Sequence, residues 1–519
     1  MGPNVGSCLA GRGPPARGHG SLRAMASSAG LRHRSARPEG GEEEPHAAPR
    51  AEAEPKAGTQ PRSGLDWRRL LLPLAEIDAR SLRAFRVALA AVLVLDAADK
   101  AALAPAFYES EQSSCPCFAL EEDVGQLAAR ANPFCWLGGA AWPRALLAAT
   151  ALLALGLPVS RACSAACWLL FVAATLRSVE VTFIFDRYMH VMLLFSCTLP
   201  YDAGREGPTL AALLLRLQLA WIYVDAGYGK VADASGDWSL RAPVPALAVY
   251  MMGAPGARAA LALDRRLCGG LATRLLTPCV AWAELLVGPA MLLTTAAPAA
   301  GLRARLAPVA AVWSLHLGIA LGMEGGLAIG AAALAAWAAL LPPGLWPGPS
   351  PGAGCEISGQ RPVRPRGGHG WLALAFLAAC LLHELSGVRP RPGPLPTILL
   401  LNRWRVFTGA ERWVTWEVAP ARLLNGSVVD VWSWRGVTFE KPRHYGRRGR
   451  WMSFPFTKPG SQRAVDARFQ YLCLEWDAAH DEPVEKYQLF ELTARIGLDL
   501  SISPPTKSLL RVHRCRDPP

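Results

Sequence analysis

Apolar runs of nearly membrane-spanning length recur along this sequence and constrain its fold more than any other feature. A helix needs about 20 apolar residues to cross a bilayer, and backbone polar groups inside lipid must be satisfied within helices or closed barrels. Spans are predicted near residues 84–98, 143–159, 163–184, 187–200, 209–229, 276–300, 305–342 and 371–386. The pattern predicts a mainly α, polytopic transmembrane helical bundle of roughly eight spans.

Two apolar stretches need a more detailed interpretation. The run at 305–342 is too long for one crossing, and Glu324-Gly325-Gly326 near its middle predicts two helices broken at that point. Residues 246–262 are predicted to form a re-entrant or interfacial segment.

Composition and charge favour a membrane protein over a nucleic-acid-binding one. The chain is 51% apolar and only 18% charged, and its net charge of +13 comes largely from arginines in the tail and loops. On a polytopic chain such a charge is typical of orientation and of contact with anionic lipids. We therefore expect membrane lipids as partners, no nucleic acid, and a multi-pass location in the endoplasmic reticulum or another endomembrane, with an organelle membrane as an alternative. The arginines around residues 62–86 favour a cytosolic N-terminus.

Composition also divides the chain. Residues 1–65 are predicted to be a disordered tail, 74–345 the membrane domain, 346–370 a Gly/Pro/Arg linker, 371–386 a further span and 402–519 a small α+β extramembrane domain. Within the last part, strands are predicted at 414–418, 428–432 and 437–439, and a helix at 463–479.

Two features of the sequence bear on the compartment. Cys115, Cys117 and Cys135 lie in one loop that could form a disulfide in an oxidising lumen, with Cys135 or Cys473 as the better partner because a Cys-x-Cys pair is strained. Asn425-Gly426-Ser427 is a glycosylation sequon, which is meaningful only if this region is lumenal.

Ionisable residues inside apolar runs are the candidates for function, because each needs a partner or a water-filled cavity. Asp186, Arg187 and His190 fit the start of a helix, and Glu284 needs a partner from another helix, with an arginine as one candidate. The full set is Arg177, Glu180, Asp186, Arg187, His190, Arg216, Asp225, Lys230, Glu284, His316 and Glu324.

Lys230 is the strongest candidate for chemistry. It ends the apolar run that begins at Leu210, and Tyr223 and Asp225 precede it closely. An ammonium group is costly near hydrocarbon, and burial makes a lysine easier to deprotonate, so that it can act as a base. On spacing alone the favoured alternative is a lysine whose stem snorkels to the membrane surface.

The order of motifs resembles a known family. An Asp78-x-Arg80-Ser81-Leu82-Arg83 segment precedes the first span, and Tyr108 lies in the loop after it. There follow Gln218-Leu219, then Tyr223-x-x-Ala226-Gly227-x-x-Lys230 with Trp238, then Glu284, then His316 before a glycine-broken helix. Over about residues 74–345 this is similar to the horizontally transferred transmembrane (HTTM) domain of the vitamin K-dependent gamma-glutamyl carboxylases. The C-terminal part resembles their extramembrane region more loosely.

The resemblance implies a site and a cofactor. Lys230 would be the base that deprotonates reduced vitamin K or a related quinol, which with dioxygen yields a strong alkoxide base. That base removes a proton from a glutamate side chain of a protein substrate, so that carbon dioxide can add. His316 would be a second catalytic group and no metal is implied; the supporting residues would be Tyr223, Asp225, Trp238, Glu284 and His190.

The chain departs from this family at two places. Gly229 stands where the carboxylases have a second lysine, and their quinone-supporting Asn-His pair falls near Asp186-Arg187, with His190 as an approximate substitute. The alternatives are a non-catalytic membrane protein that binds lipid or quinone, an assembly factor, or a transporter. A transporter is disfavoured by the lack of a clear inverted repeat. No Ser-His-Asp order, phosphate-binding glycine loop, HExxH or dinucleotide fingerprint is present.

Overall fold

The computed structural model describes residues 67–516, except for 109–125, 138–140, 179–180, 202–207, 253–254, 298, 324, 349–368, 386–398, 442–449 and 452–461. The predicted tail (1–65) and most of the predicted linker lie outside the described residues, as do Cys115, Cys117, Glu180 and Glu324.

The described chain is mainly helical, as predicted. Its helices are α1 Trp67–Leu74, α2 Ala79–Ala102, α3 Ala104–Phe107, α4 Gln126–Ala131, α5 Ala141–Ala154, α6 Arg161–Arg177, α7 Ile184–Thr198, α8 Leu210–Val231, α9 Ala246–Met251, α10 Pro255–Cys268, α11 Leu271–Ala296, α12 Leu302–Gly322, α13 Gly326–Ala338, α14 His369–Leu385 and α15 Gln462–Ala479.

Three of the described helices, α8, α11 and α12, are long and apolar enough to cross a membrane. Three shorter apolar helices are α5, α13 and most of α14. The other predicted spans correspond to shorter or less apolar helices, so the expected total of eight crossings stays a prediction.

The predicted break in the long apolar run is confirmed. Helix α12 ends at Gly322 and α13 begins at Gly326, with Gly325 between them at a φ of +72°. Such a left-handed conformation suits glycine, which has no Cβ to clash. Residues 246–262 form α9 and the first part of α10, two short helices in place of one segment.

Glycines bring α8 and α11 into close contact. A Cβ on Gly227 would collide with the backbone of Leu285, and a Cβ on Gly288 would lie 2.7 Å from the carbonyl oxygen of Ala220. Small residues allow helix backbones to approach closely where no hydrophobic force from water drives them together. This crossing brings the C-terminal end of α8 beside the middle of α11.

The C-terminal region contains a five-stranded antiparallel sheet, which confirms that the chain ends in a small sheet. Its strands are β1 Trp413–Val418, β2 Pro420–Leu423, β3 Val428–Asp430, β4 Val484–Arg495 and β5 Thr506–Arg514. The long strand β4 pairs with β5 along one edge and with β1 and then β2 along the other. The sequence predicted β1, β3 and the helix at 463–479.

One strand prediction for this region was wrong, and one of the two disulfide alternatives is excluded. Residues 437–439 form no strand, since the chain leaves the sheet after β3 through a turn closed by a single bridge between Asp430 and Arg435. Cys473 forms a disulfide with Cys515 and therefore not with the loop cysteines. The bond ties α15 to the end of β5, and Cys135 is disulfide-bonded as well.

Candidate functional site

Lys230 lies in the last turn of α8 and is only 3% exposed. Its Nζ donates to Glu284 Oε2 at 2.5 Å and to the carbonyl oxygen of Val406 at 3.2 Å. The ammonium nitrogen also lies 5.3 Å from the centre of the Trp238 ring. The snorkelling alternative is therefore wrong, because the amine points into the protein and is held there.

Glu284 supplies the opposite charge from α11, where it is 6% exposed. The expectation of a partner on another helix is confirmed, but that partner is Lys230 and not an arginine. A buried charge is costly unless it is paired and hydrogen-bonded, so each member of the pair makes burial of the other tolerable.

Tyr223 and His316 form a second polar pair next to the first. Tyr223 lies seven residues before Lys230, two helical turns away on the same face of α8. The Tyr223 hydroxyl oxygen is 2.7 Å from His316 Nε2. The Trp337 ring packs edge-on against the Tyr223 ring, with the two ring centres 5.3 Å apart. Tyr223 has a Coulombic interaction with Glu284, and His316 has one with Lys230. The four residues therefore form one electrostatically coupled group. His316 Nδ1 is buried and has no hydrogen-bond partner among the described residues.

A segment that follows α14, residues 402–410 (the capping segment), covers this group. Asp225 accepts hydrogen bonds from the Trp404 backbone N–H at 2.6 Å and from Arg405 Nε at 2.9 Å. Trp238 Nε1 donates to the carbonyl oxygen of Phe407 at 2.9 Å. Asp225 and Trp238, expected as supporting residues, thus anchor the capping segment that supplies the Val406 carbonyl to Lys230.

The capping segment also explains the glycine next to Lys230. A Cβ at Gly229 would lie 2.7 Å from Thr408 Cγ2 and 3.1 Å from Arg405 Cγ. A second lysine at this position, as in the carboxylases, would need the space that the capping segment occupies. Sequence reasoning missed this contact because residues 402–410 were assigned to the extramembrane domain.

His190 is held by other contacts. Its Nδ1 accepts from Trp168 Nε1 at 3.0 Å, and the Phe376 ring packs edge-on at 5.6 Å. These neighbours belong to α6 and α14. His190 makes no hydrogen bond or ring contact with Lys230, Glu284, Tyr223 or His316.

Asp186, the other residue near the expected Asn-His position, belongs to a separate buried charge cluster. Arg450 Nη2 lies 2.7 Å from Asp186 and 2.9 Å from Asp96, while Lys100 Nζ lies 2.5 Å from Asp96 and 3.6 Å from Asp186. The four side chains are at most 5% exposed, and two cations balance two anions. Asp186 also accepts from the Phe183 N–H, which confirms the predicted helix start.

The remaining ionisable candidates from the apolar runs have partners elsewhere in the fold or lie outside the described residues. Arg216 donates to the carbonyl oxygens of Pro73, Leu74 and Glu76, and Arg187 donates to that of Arg403. Within the described ranges no group of three or more His, Cys, Asp or Glu side chains is placed to hold a metal ion.

Comparison with known protein families, curated proteins and solved structures finds no match for this chain. Chemically, the site offers one proton shared between an amine and a carboxylate in a buried setting. Beside it a phenol and an imidazole offer a second hydrogen bond and one unpartnered ring nitrogen. This combination suits proton transfer to or from a small apolar molecule that carries a hydroxyl group.

Proposed function

We propose that this chain is an integral membrane enzyme of the HTTM, gamma-glutamyl carboxylase-like type, with Lys230 as the base that deprotonates reduced vitamin K or a related quinol. The observation that carries the proposal is the Lys230–Glu284 contact, buried beside an imidazole nitrogen that lacks a partner among the described residues. The order of motifs described above supports the same assignment.

A protonated lysine cannot accept a proton, and Glu284 provides a group that can take the proton from Lys230. Transfer of one proton along the 2.5 Å hydrogen bond converts the ammonium–carboxylate pair into an amine and a carboxylic acid. The pair has zero net charge before and after the transfer, and a low-dielectric setting favours the form in which neither group is charged. The free amine of Lys230 can then accept a hydroxyl proton from the substrate.

The residues present fit a quinol. His316 Nδ1 would hold a quinol oxygen; the Trp238 ring lies beside Lys230, the Tyr223 ring packs against His316, and the Trp337 ring packs against Tyr223. A reduced quinone supplies the electrons that, with dioxygen, generate a base strong enough to deprotonate a glutamate side chain. The capping segment, anchored by Asp225 and Trp238, would exclude water from Lys230.

The test is an assay of the purified protein with reduced vitamin K, bicarbonate and a short glutamate-containing peptide. Quinol epoxidation and carbon dioxide incorporation are measured for wild type, Lys230→Ala and the surface control Lys486→Ala. We expect Lys230→Ala to lose about 10²-fold or more of both activities, the usual contribution of a positioned general base, and Lys486→Ala to keep them.

A folding control separates chemistry from stability. Removing one member of a buried ion pair destabilises by about 3–5 kcal/mol because the other charge is left unpaired. The double variant Lys230→Met/Glu284→Gln removes both charges, and its thermal unfolding in detergent should lie closer to wild type than that of Lys230→Ala. Full turnover in either variant, in a folded sample, would refute the role of Lys230.

The second candidate is a non-catalytic membrane protein that binds lipid or quinone or assists assembly. It is favoured by the completeness of the Lys230 contacts, since a salt bridge and a carbonyl hydrogen bond would suffice for a structural role. It predicts no turnover by wild type. It also predicts that the double variant retains quinone binding, followed as quenching of tryptophan fluorescence.

A further inference from the structure

The only N-glycosylation sequon in the sequence, Asn425-Gly426-Ser427, lies at the tip of a hairpin. The hairpin joins β2 and β3, and all three sequon residues are exposed. Gly426 adopts a φ of +85°, and its N–H donates to the Leu423 carbonyl oxygen, so the turn is tight and projects from the sheet. A modifying enzyme could reach this tip without disturbing the core.

The first and third residues of the sequon are hydrogen-bonded to each other. Ser427 donates to Asn425 Oδ1 through its backbone N–H at 2.9 Å and through its hydroxyl at 2.7 Å. Asn425 Oδ1 is therefore occupied, whereas Nδ2, the atom that would carry a sugar, has no acceptor among the described residues.

An independent feature of the same domain points to the same compartment. Cys473 and Cys515 form a disulfide that closes 42 residues of chain. Disulfides persist in oxidising compartments such as the endoplasmic reticulum lumen and are rare in the cytosol. N-glycosylation takes place in that lumen as well.

We propose that Asn425 is N-glycosylated and that the C-terminal sheet domain faces the lumen of the secretory pathway. The co-reactant is a lipid-linked oligosaccharyl diphosphate. A bond forms between Asn425 Nδ2 and the anomeric carbon of the first sugar, the bond from that carbon to the diphosphate oxygen breaks, and the amide nitrogen loses one proton.

The test expresses the full chain in eukaryotic cells and compares gel mobility before and after treatment with peptide N-glycosidase. We expect wild type and Ser427→Thr to shift on treatment, and Asn425→Gln and Ser427→Ala to run untreated at the deglycosylated position. These substitutions alter exposed turn residues only, so folding is not at risk. Absence of a shift in both wild type and Ser427→Thr would overturn the glycosylation.

A second measurement tests the lumenal location without the glycan. A non-reducing peptide map of the Asn425→Gln protein should recover Cys473 and Cys515 as one linked pair of peptides. Recovery of both as free thiols from cells lysed in an alkylating buffer would overturn the lumenal location.

Discussion

At the scale of single residues, the sequence identified the buried ionisable residues better than it predicted which of them pair with each other. The apolar run before Lys230 and the isolated charge of Glu284 were readable, as was the need for a partner on another helix. Nothing in the sequence could choose Lys230 over an arginine as that partner, because the choice depends on how α8 crosses α11. The sequence also could not reveal that the side chains of Arg405 and Thr408 pack against Gly229.

One residue of the C-terminal sheet gives a pH-dependent prediction. Burial, and to a lesser extent the facing Glu491 on β4, raises the pKa of Glu417 from 4.5 to about 7. Between these two values the folded state binds more protons than the unfolded state, so the free energy of unfolding falls as pH rises through this window. Because a tenfold change in a protonation equilibrium corresponds to about 1.4 kcal/mol and Glu417 is partly exposed, we expect a loss on the order of 1–3 kcal/mol.

Replacing Glu417 by Gln should remove this loss. Thermal unfolding of the full chain in detergent, measured from pH 4.5 to 8, should show a flatter pH dependence for the variant and a higher melting temperature than wild type at pH 8. The exposed Glu482→Gln serves as the matched control and should follow wild type. A variant that follows wild type across the range would show that Glu417 does not cause the effect.

At the scale of elements, helices were more predictable than strands for a physical reason. The glycine-marked break between α12 and α13 is local, and it was found. In β4 the buried side chains are Val484, then Tyr487 and Leu489, then Leu492 and Ala494, so the alternation changes phase twice along the strand. The first change lies at Glu485, the extra residue where β4 pairs irregularly with β2. A single period of two cannot describe such a strand, and β4 was missed.

The crossing of α8 and α11 gives the prediction at this scale. Gly227→Ala should force the two helices apart, because its Cβ would meet the Leu285 backbone, and overpacking of this kind costs about 1–3 kcal/mol. The melting temperature in detergent should fall accordingly. Gly318→Ala in α12 is the matched control, since nothing lies within 4 Å of its Cβ, and it should be neutral or slightly stabilising. Equal melting of the two variants would contradict the close crossing.

At the scale of the whole molecule, distant parts of the chain close the buried sites. The capping segment reaches back to Asp225 and Trp238 across more than 160 residues of sequence, and Arg450 completes the charge cluster of Asp96, Lys100 and Asp186. Asp96 and Lys100 are spaced i, i+4 on α2 and form the local part of this cluster. No local pattern connects it to Arg450, so this part of the architecture required the structure.

The count of crossings gives the last prediction. Nine described helices between Ala79 and Leu385 have at least 13 residues and an apolar body: α2, α5, α6, α7, α8, α11, α12, α13 and α14. We exclude α10 because its charged residues, Arg258, Asp264, Arg265 and Arg266, leave only residues 259–263 as an uncharged stretch between them, whereas α2 has an uninterrupted apolar stretch at 87–95. If all nine cross, the number is odd and the two ends of the chain lie on opposite sides of the membrane. A lumenal C-terminal domain then agrees with the cytosolic N-terminus that the arginines at 62–86 favour.

A second sequon near the N-terminus tests this parity. Ala57→Asn creates Asn-Gly-Thr with Gly58 and Thr59, which matches the native sequon in its middle residue. In eukaryotic cells this variant should carry one glycan, at Asn425, and Ala57→Asn/Asn425→Gln should carry none. Two glycans on the single variant, removed stepwise by limited peptide N-glycosidase treatment, would mean that both ends face the lumen. The number of crossings would then be even, and at least one of the nine helices would not span the bilayer.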